Sequence, residues 1–244
     1  MTWKEVWEAR SMDVGEGAAG RSSMLARLLA VDGFDTGFGT AGEEAWRAYV
    51  QRTAAQIGIA PGSSIFEVGC GAGAYLFELD REGCEVAGLD ASPALIHYAR
   101  EAMPRGNWMC ATAEELDAGT QYDFVVSSGC FLYFPGLDYA REVLERMVRK
   151  ARRGVMVLDV PDFARREEAM AFRRRAVGDE AYARRYAGLD HLYIEKAWME
   201  SALESLGVTQ VRIADQDIEG YANSAYRYNV FGWLGESRSS QRRS

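Results

Sequence analysis

Residues 67–75 read EVGCGAGAY, and Gly69, Gly71 and Gly73 follow directly on an apolar run that ends at Val68. A strand that breaks into glycines and then a helix lets backbone amides and a helix N-terminus press against a ligand, because no side chain fills the space. Asp90 stands about twenty residues on, in EVAGLDAS. An acid at that distance, closing a second strand, can hold the hydroxyls of a ribose. The spacing leaves two ligands open, because Gly69, Gly71 and Ala74 also fit the dinucleotide loop G-x-G-x-x-G/A of NAD(P)-dependent reductases. Against a dinucleotide stand Glu67 just before the loop, the roughly sixty residues ahead of the first strand, and a chain that ends soon after one sheet. A purely structural account remains, in which the glycines make tight strand-to-helix turns.

The elements that must carry these residues follow from the pattern of apolar runs. Between residues 63 and 160 such runs alternate with helical spacing, the signature of a parallel sheet with crossover helices. Strands are predicted at 64–68, 85–89, 107–111, 123–128 and 154–160, with helices at about 73–82, 92–103 and 138–151. Ser92 and Pro93 mark the start of the second helix as N-cap and first helical residue. In DYAREVLERMVRKA, Val143, Leu144, Met147 and Val148 recur on one helical face. Ahead of the sheet the spacing predicts two helices and a Gly-rich connector, VDGFDTGFGTAG, at 31–42, which could serve as a hinge. After the fifth strand it predicts an Arg-rich helical stretch at about 163–186, a helix at 195–206, and strands at 208–214 and 226–233. Residues 237–244 offer nothing apolar to bury and are expected to be a disordered tail.

With its first motif in the form acid, apolar, G-x-G-x-G, EVGCGAG resembles the class I S-adenosylmethionine-dependent methyltransferases. The likeness continues through LDAS at 89–92, ATAEEL at 111–116, YDFVVSSGCFLYF at 122–134 and RRGVMVLDVPD at 152–162. It implies an α/β fold: a Rossmann-like doubly wound seven-stranded sheet, mostly parallel with the last strand antiparallel, helices on both faces and an N-terminal helical cap over residues 1–60. It further implies one domain over 1–236 with a helical lid insertion at 163–195. Carried over position by position, the resemblance places Gly69, Cys70, Gly71 and Gly73 along the methionine and ribose portion, and Asp90 on the ribose hydroxyls. Ala91 would border the adenine, Ala113 and Glu114 would present backbone to its amino edge, and Ser128 and Gly129 would offer carbonyls to the methionine ammonium, with Glu67 supporting that end. Many relatives have Asp where this chain has Thr112, whose hydroxyl could still accept a hydrogen bond.

Methyl transfer from a sulfonium is an in-line displacement, so fixing three atoms on one axis can supply much of the acceleration. A general base helps when the acceptor carries a proton. The chain has two histidines. His97 lies on the helix after Asp90 and reads as a surface residue. His191, in GLDHLYIEKAW, falls where related enzymes complete the acceptor pocket, and Tyr133 follows the fourth strand near the transferred methyl in this fold; both are the catalytic candidates, each with packing as the alternative. Tyr193, Tyr221 and Arg227 are secondary candidates. The fourth strand ends in Ser-Ser-Gly without converging carboxylates, so no metal is expected. Seven arginines in ARREEAMAFRRRAVGDEAYARRYAG could attract a carboxylate or phosphate on the acceptor, or form a solvated helix face.

Composition sets the outer limits. A formal charge of -8 argues against a nucleic-acid partner, which calls for a basic face. No run approaches the length of a membrane span, and MTWKEVWEARSMD lacks the apolar core of a secretory signal. Cys70, Cys84, Cys110 and Cys130 form no C-x-x-C pair and are read as reduced, core-type thiols of a cytoplasmic protein. The expected protein is therefore a monomeric or homodimeric enzyme that takes S-adenosyl-L-methionine and a small-molecule methyl acceptor and releases S-adenosyl-L-homocysteine, with no nucleic-acid or membrane partner. An NAD(P)-dependent reductase and a non-catalytic cofactor-binding module are the alternatives.

Overall fold

The computed structural model describes residues 2–10, 23–34, 41–117 and 119–235. Its strands are Ser64–Val68 (β1), Glu85–Asp90 (β2), Asn107–Cys110 (β3), Tyr122–Ser128 (β4), Ala151–Pro161 (β5), Gln210–Asp215 (β6) and Arg227–Trp233 (β7). The helices are Trp3–Glu8 (α1), Met24–Val31 (α2), Glu43–Ile57 (α3), Ala74–Arg81 (α4), Pro93–Ala102 (α5), Leu137–Lys150 (α6), Arg166–Val177 (α7), Asp179–Arg185 (α8) and Lys196–Ser205 (α9).

The strands form one sheet in the order β3-β2-β1-β4-β5-β7-β6, in which β7 runs antiparallel to both of its neighbours and the other pairings are parallel. Central strands covered on both faces need apolar residues of both parities, which is why β1 and β4 read as unbroken runs rather than alternations. Ile65, Phe66, Val68, Phe124, Val125 and Val126 are all buried. Glu67 is the exception, a carboxylate only 2% exposed inside β1. Helices α3, α4 and α5 cover one face around Trp46, Tyr49, Leu76, Leu79 and Ile96. The other face lies under α6 and α9, through Val143, Leu144, Met147, Met199 and Leu203. Each such side chain stabilises the fold by roughly 1.5–3 kcal/mol through removal from water.

After β1 the chain builds β2 and β3 to one side, then returns to build β4 and β5 on the other. That reversal opens a crevice beyond the C-terminal ends of β1 and β4, the place where open α/β sheets bind ligands. The Gly loop leaves β1 there and Ser128–Gly129 leave β4 there.

The expected elements are present, with differences that have local causes. Ser92 Oγ accepts the Leu95 amide at 3.4 Å and Pro93 opens α5, as the sequence predicts. Strand β5 begins at Ala151 rather than 154, because the C-cap of α6 is already extended (φ -86°, ψ 140°) and no turn intervenes. Among the described residues the N-terminal region holds α1, α2 and α3, one helix more than the spacing predicts. The Arg-rich stretch divides into α7 and α8 at Gly178, whose φ of 83° ends a helix without strain. Most of the Gly-rich connector, residues 35–40, and the tail at 237–244 lie outside the described residues. The core-type reading of the cysteines needs correction at one position. Cys70 and Cys84 are buried and Cys130 is half-buried, whereas Cys110, on edge strand β3, is exposed. None of the four is in a disulfide. No described helix is long and apolar enough to cross a membrane.

Candidate active site

A cavity of about 510 Å³ opens at the crevice, walled by the C-terminal ends of β1, β2, β4 and β5, by α1 and the end of α2, and by Arg173, Tyr186, Leu189 and His191. Glu67, Gly69, Cys70, Gly71, Asp90, Ala91, Thr112, Ala113, Ser128, Gly129, Tyr133 and His191 all line it. Gly73 and Glu114 do not. Gly73 is the N-cap of α4 at φ 91°, and a side chain there would run into Met103 of the neighbouring helix-to-strand turn, so its lack of Cβ serves packing. Glu114 sits exposed in the short 3-10 turn Ala113–Glu115. Thr112 caps that turn, its hydroxyl donating to Glu115 at 2.8 Å while its lone pairs remain as acceptors.

The glycines of the loop make room first for the protein itself. All three have positive φ, and a Cβ on Gly69 would strike Cys130 while one on Gly71 would strike the carboxylate of Asp32. Asp32 is the residue that sequence reasoning missed. It follows directly on α2, and its Oδ1 and Oδ2 accept the amides of Ala72 at 2.7 Å and Ala74 at 3.1 Å. A carboxylate is favoured there by the positive end of the α4 backbone. The amides of Gly69 and Cys70 go to the Leu89 carbonyl, that of Gly71 to Asp90 Oδ2 at 3.0 Å, and that of Gly73 to the Cys70 carbonyl. Every amide from Gly69 to Ala74 is therefore satisfied within the chain. Only an Asp within a Gly-rich connector signalled this in the sequence.

What the loop presents to the cavity is thus acceptor rather than donor. Asp32, Glu67 and Asp90 converge on it, and burial raises all three carboxyls above their ordinary range. Asp32 is pushed up to about 7 by burial, opposed by the two amides it accepts and reinforced by the charge of Asp90. Glu67 is raised well above its ordinary value by burial and by the charges of Asp32 and Asp90. Its Oε2 is buried without a hydrogen-bond partner. Asp90 is steadied by the amides of Ser92, at 2.8 Å, and Gly71. Three crowded carboxyls with spare lone pairs fit a ligand that brings cationic charge, hydroxyls and N–H donors.

The far end of the cavity has the opposite character. Tyr133 stands among rings, 4.8 Å from Trp3, 5.3 Å from Trp7 and 5.8 Å from His191 between centroids. Trp3 stacks on His191 at 4.8 Å and donates its indole N–H to the Asp190 carbonyl, so α1 packs on the segment that carries His191. Arg173 of α7 bonds His191 Nδ1 at 2.7 Å and donates to the Tyr193 hydroxyl. An arginine has no lone pair to offer, so Nδ1 must accept and the imidazole proton sits on Nε2. Burial, then the charges of Arg173 and Arg227, hold His191 well below the usual histidine range, in its neutral form. Nε2–H is accordingly a hydrogen-bond donor and not a base. Burial also raises the Tyr133 phenol, which stays protonated.

Beneath this end, Arg227 of β7 is ion-paired with Asp159 of β5, and both are buried. Gln216 donates to Asp159 Oδ1 at 2.6 Å, and the Asp159 amide donates to Asn229 Oδ1 at 3.0 Å. Asp159 has φ 62°, rare for a residue with a side chain, held by these contacts. Tyr221 and Arg227 line the cavity; Tyr193 takes part through Arg173. His97 is exposed beside Glu101 at 3.5 Å, outside the site. Among the described residues no group of three His, Cys, Asp or Glu side chains is placed to hold a metal ion.

Known proteins resemble the chain in sequence and in fold. Residues 65–154 match the family model described as a methyltransferase domain. The chain is 30% identical over 133 residues to a nonribosomal peptide synthetase of Emericella nidulans, covering 50% of this chain and 5% of that protein. It is 32% identical over 88 residues to the magnesium-protoporphyrin O-methyltransferase of Rhodobacter capsulatus, covering 34% of this chain and 39% of that one. The matches thus span well under half of these relatives. Among solved structures, magnesium protoporphyrin IX methyltransferase from Synechocystis with bound S-adenosylhomocysteine superposes with a TM-score of 0.60 at 15% identity, covering 95% of this chain and 99% of that one. Residues 65–154 of the chain thus resemble a methyltransferase domain, and the chain shares its fold with methyltransferases of known structure.

Proposed function

We propose that this protein moves a methyl group from S-adenosylmethionine to an oxygen or nitrogen atom of a small molecule, in the manner of a biosynthetic tailoring enzyme acting in the cytoplasm. The observation that carries the reading is the occupation of the loop amides by Asp32 and Asp90. A dinucleotide needs those amides free to receive its pyrophosphate at the helix N-terminus. Here a carboxylate already fills the place, and the charge left facing the cavity repels phosphate. A sulfonium nucleoside with an ammonium and two ribose hydroxyls meets three carboxyls instead.

In this reading Asp90 holds the ribose hydroxyls, and the unpartnered Oε2 of Glu67 together with the carbonyls of Ser128 and Gly129 takes the ammonium. Ala91, Thr112 and Ala113 border the adenine. When bound, S-adenosylmethionine supplies an electrophilic methyl group. The chain's own residues then orient the acceptor: Tyr133 and the Trp3–His191 stack shape its place, and His191 Nε2–H and the Tyr133 hydroxyl donate hydrogen bonds to it. Neither group is poised to remove a proton near neutral pH, so catalysis rests on positioning, for which effective molarities of about 10⁵–10⁸ M are attainable.

Calorimetric titration of the purified protein with S-adenosylmethionine, S-adenosylhomocysteine, NADH and NADPH tests the assignment. Binding of the two sulfur nucleosides and silence with both dinucleotides is expected. The reverse pattern would assign the loop to a reductase, and tight nucleoside binding with no methyl transfer to any acceptor would leave a binding module.

A further inference from the structure

Of the seven arginines in the lid segment, the fold sets one apart. Arg173 is 6% exposed and lines the cavity. Its partners are His191 Nδ1, the Tyr193 hydroxyl and the faces of the Tyr186 and Tyr193 rings, with the guanidinium carbon 5.9 Å from both ring centroids. All of these are neutral. Among the described residues no carboxylate pairs with it, and its Nε is buried without an acceptor. Arg165 and Arg184, by contrast, have Glu168 and Glu180 beside them at the surface. The other buried guanidinium of the cavity, Arg227, has Asp159.

A buried guanidinium without an anion is costly, since taking a charge out of water is compensated only by a partner of opposite sign and by full use of its donors. Arginine's planar fork matches the two oxygens of a carboxylate or phosphate. Of the carboxyls that line the cavity, Asp32, Glu67 and Asp90 lie at the glycine loop and Asp159 is paired with Arg227. We infer that Arg173 anchors the methyl acceptor by an oxyanion, so that the acceptor is an acid, carboxylate or phosphate, seated among the rings of Trp3, Tyr133 and Tyr186. His191 and Tyr193 hold the guanidinium in place, which makes them positioning residues for that anchor. The inference rests on the cavity being an acceptor site, as proposed above, and deepens that reading by naming the acceptor's charge.

Benzoate, phenyl phosphate and the neutral isostere benzamide serve as probes, titrated calorimetrically into the full chain with and without S-adenosylhomocysteine. At least one of the two anions should bind roughly ten- to a hundredfold more tightly than benzamide, the range for a hydrogen-bonded charge. Which anion is preferred tells carboxylate from phosphate. In Arg173→Met the preference should vanish while nucleoside binding persists, and in Arg174→Met, altered at an exposed neighbour, it should remain. Equal binding of anion and amide to the unaltered protein, no binding of either anion, or a preference that survives Arg173→Met would overturn the inference. The comparison on the unaltered chain decides the matter even if the variant fails to fold. Failure of S-adenosylhomocysteine to bind would strike the cofactor assignment alone, because the anion preference is read without it.

Discussion

Asp32 and Gly71 occupy each other's space: the carboxylate of the first lies where any side chain on the second would have to go, and it reaches there to bind the amides of Ala72 and Ala74. This contact ties the N-terminal cap to the ligand loop and decides the sign of the charge the loop shows to the cavity.

Replacing Gly71 by Ala should therefore do two things at once. The backbone there has φ 56°, unfavourable for a side chain, and the added methyl evicts Asp32. A loss of roughly 1–3 kcal/mol in denaturant unfolding is expected, together with weakened S-adenosylmethionine binding. Gly73→Ala, strained as well but turned away from the cavity, should lower stability without changing the ligand affinity of the folded protein.

The pH response follows from Asp32. Its folded carboxyl titrates at about 7 against an unfolded value of 3.8, so between these the folded state holds a proton that the unfolded state has lost. Stability of the unliganded protein should accordingly fall as pH rises from about 4 to about 7. A cationic ligand favours the ionised carboxyl, so affinity for S-adenosylmethionine should rise through the same upper range. Asp32→Asn should reduce both slopes, measured by thermal melts and calorimetry; part of each remains through Glu67 and Asp90, which are raised in the same direction.

Much of this site could be read in the residues themselves. The strand, Gly69, Gly71 and Asp90 marked the crevice at the strand ends because local steric rules govern such turns, and the order of apolar runs carried the sheet with them. Asp32 was illegible because its partner amides lie forty residues away in the chain. Arg173 was hidden for a related reason: seven arginines look alike in a string, and it is the packing of α7 against the segment carrying His191 and Tyr193 that buries Arg173 with no acid beside it among the described residues. Gly73 lies outside the cavity lining, and the sequence could not separate it from its neighbours because a positive φ and a close ligand demand the same residue.

Asp90→Asn keeps the size of the side chain while removing its charge. The variant should bind S-adenosylmethionine more weakly by roughly 1–3 kcal/mol in calorimetry. Unchanged affinity would remove Asp90 from the ribose.

His191 is neutral with its proton on Nε2, so the rate of methyl transfer should show no step at the ordinary histidine value. His191→Ala should lower kcat/KM for the acceptor with S-adenosylmethionine affinity unchanged, and His191→Asn, which retains a donor, should keep more activity than Ala. A base would show the step and would not be rescued by Asn.

The buried Asp159–Arg227 pair joins β5 to β7 under the cavity. Asp159→Asn or Arg227→Met should each cost about 3–5 kcal/mol in unfolding free energy, because either leaves a charge without its partner. The double variant should recover part of that loss.

The most direct measurement is a crystal structure of the S-adenosylhomocysteine complex. The account predicts Asp32 still on the amides of Ala72 and Ala74, with Asp90 on the ribose hydroxyls and Glu67 at the ammonium end. A ligand carboxylate seated on those amides with Asp32 displaced, or Asp90 turned to bulk water, would contradict it.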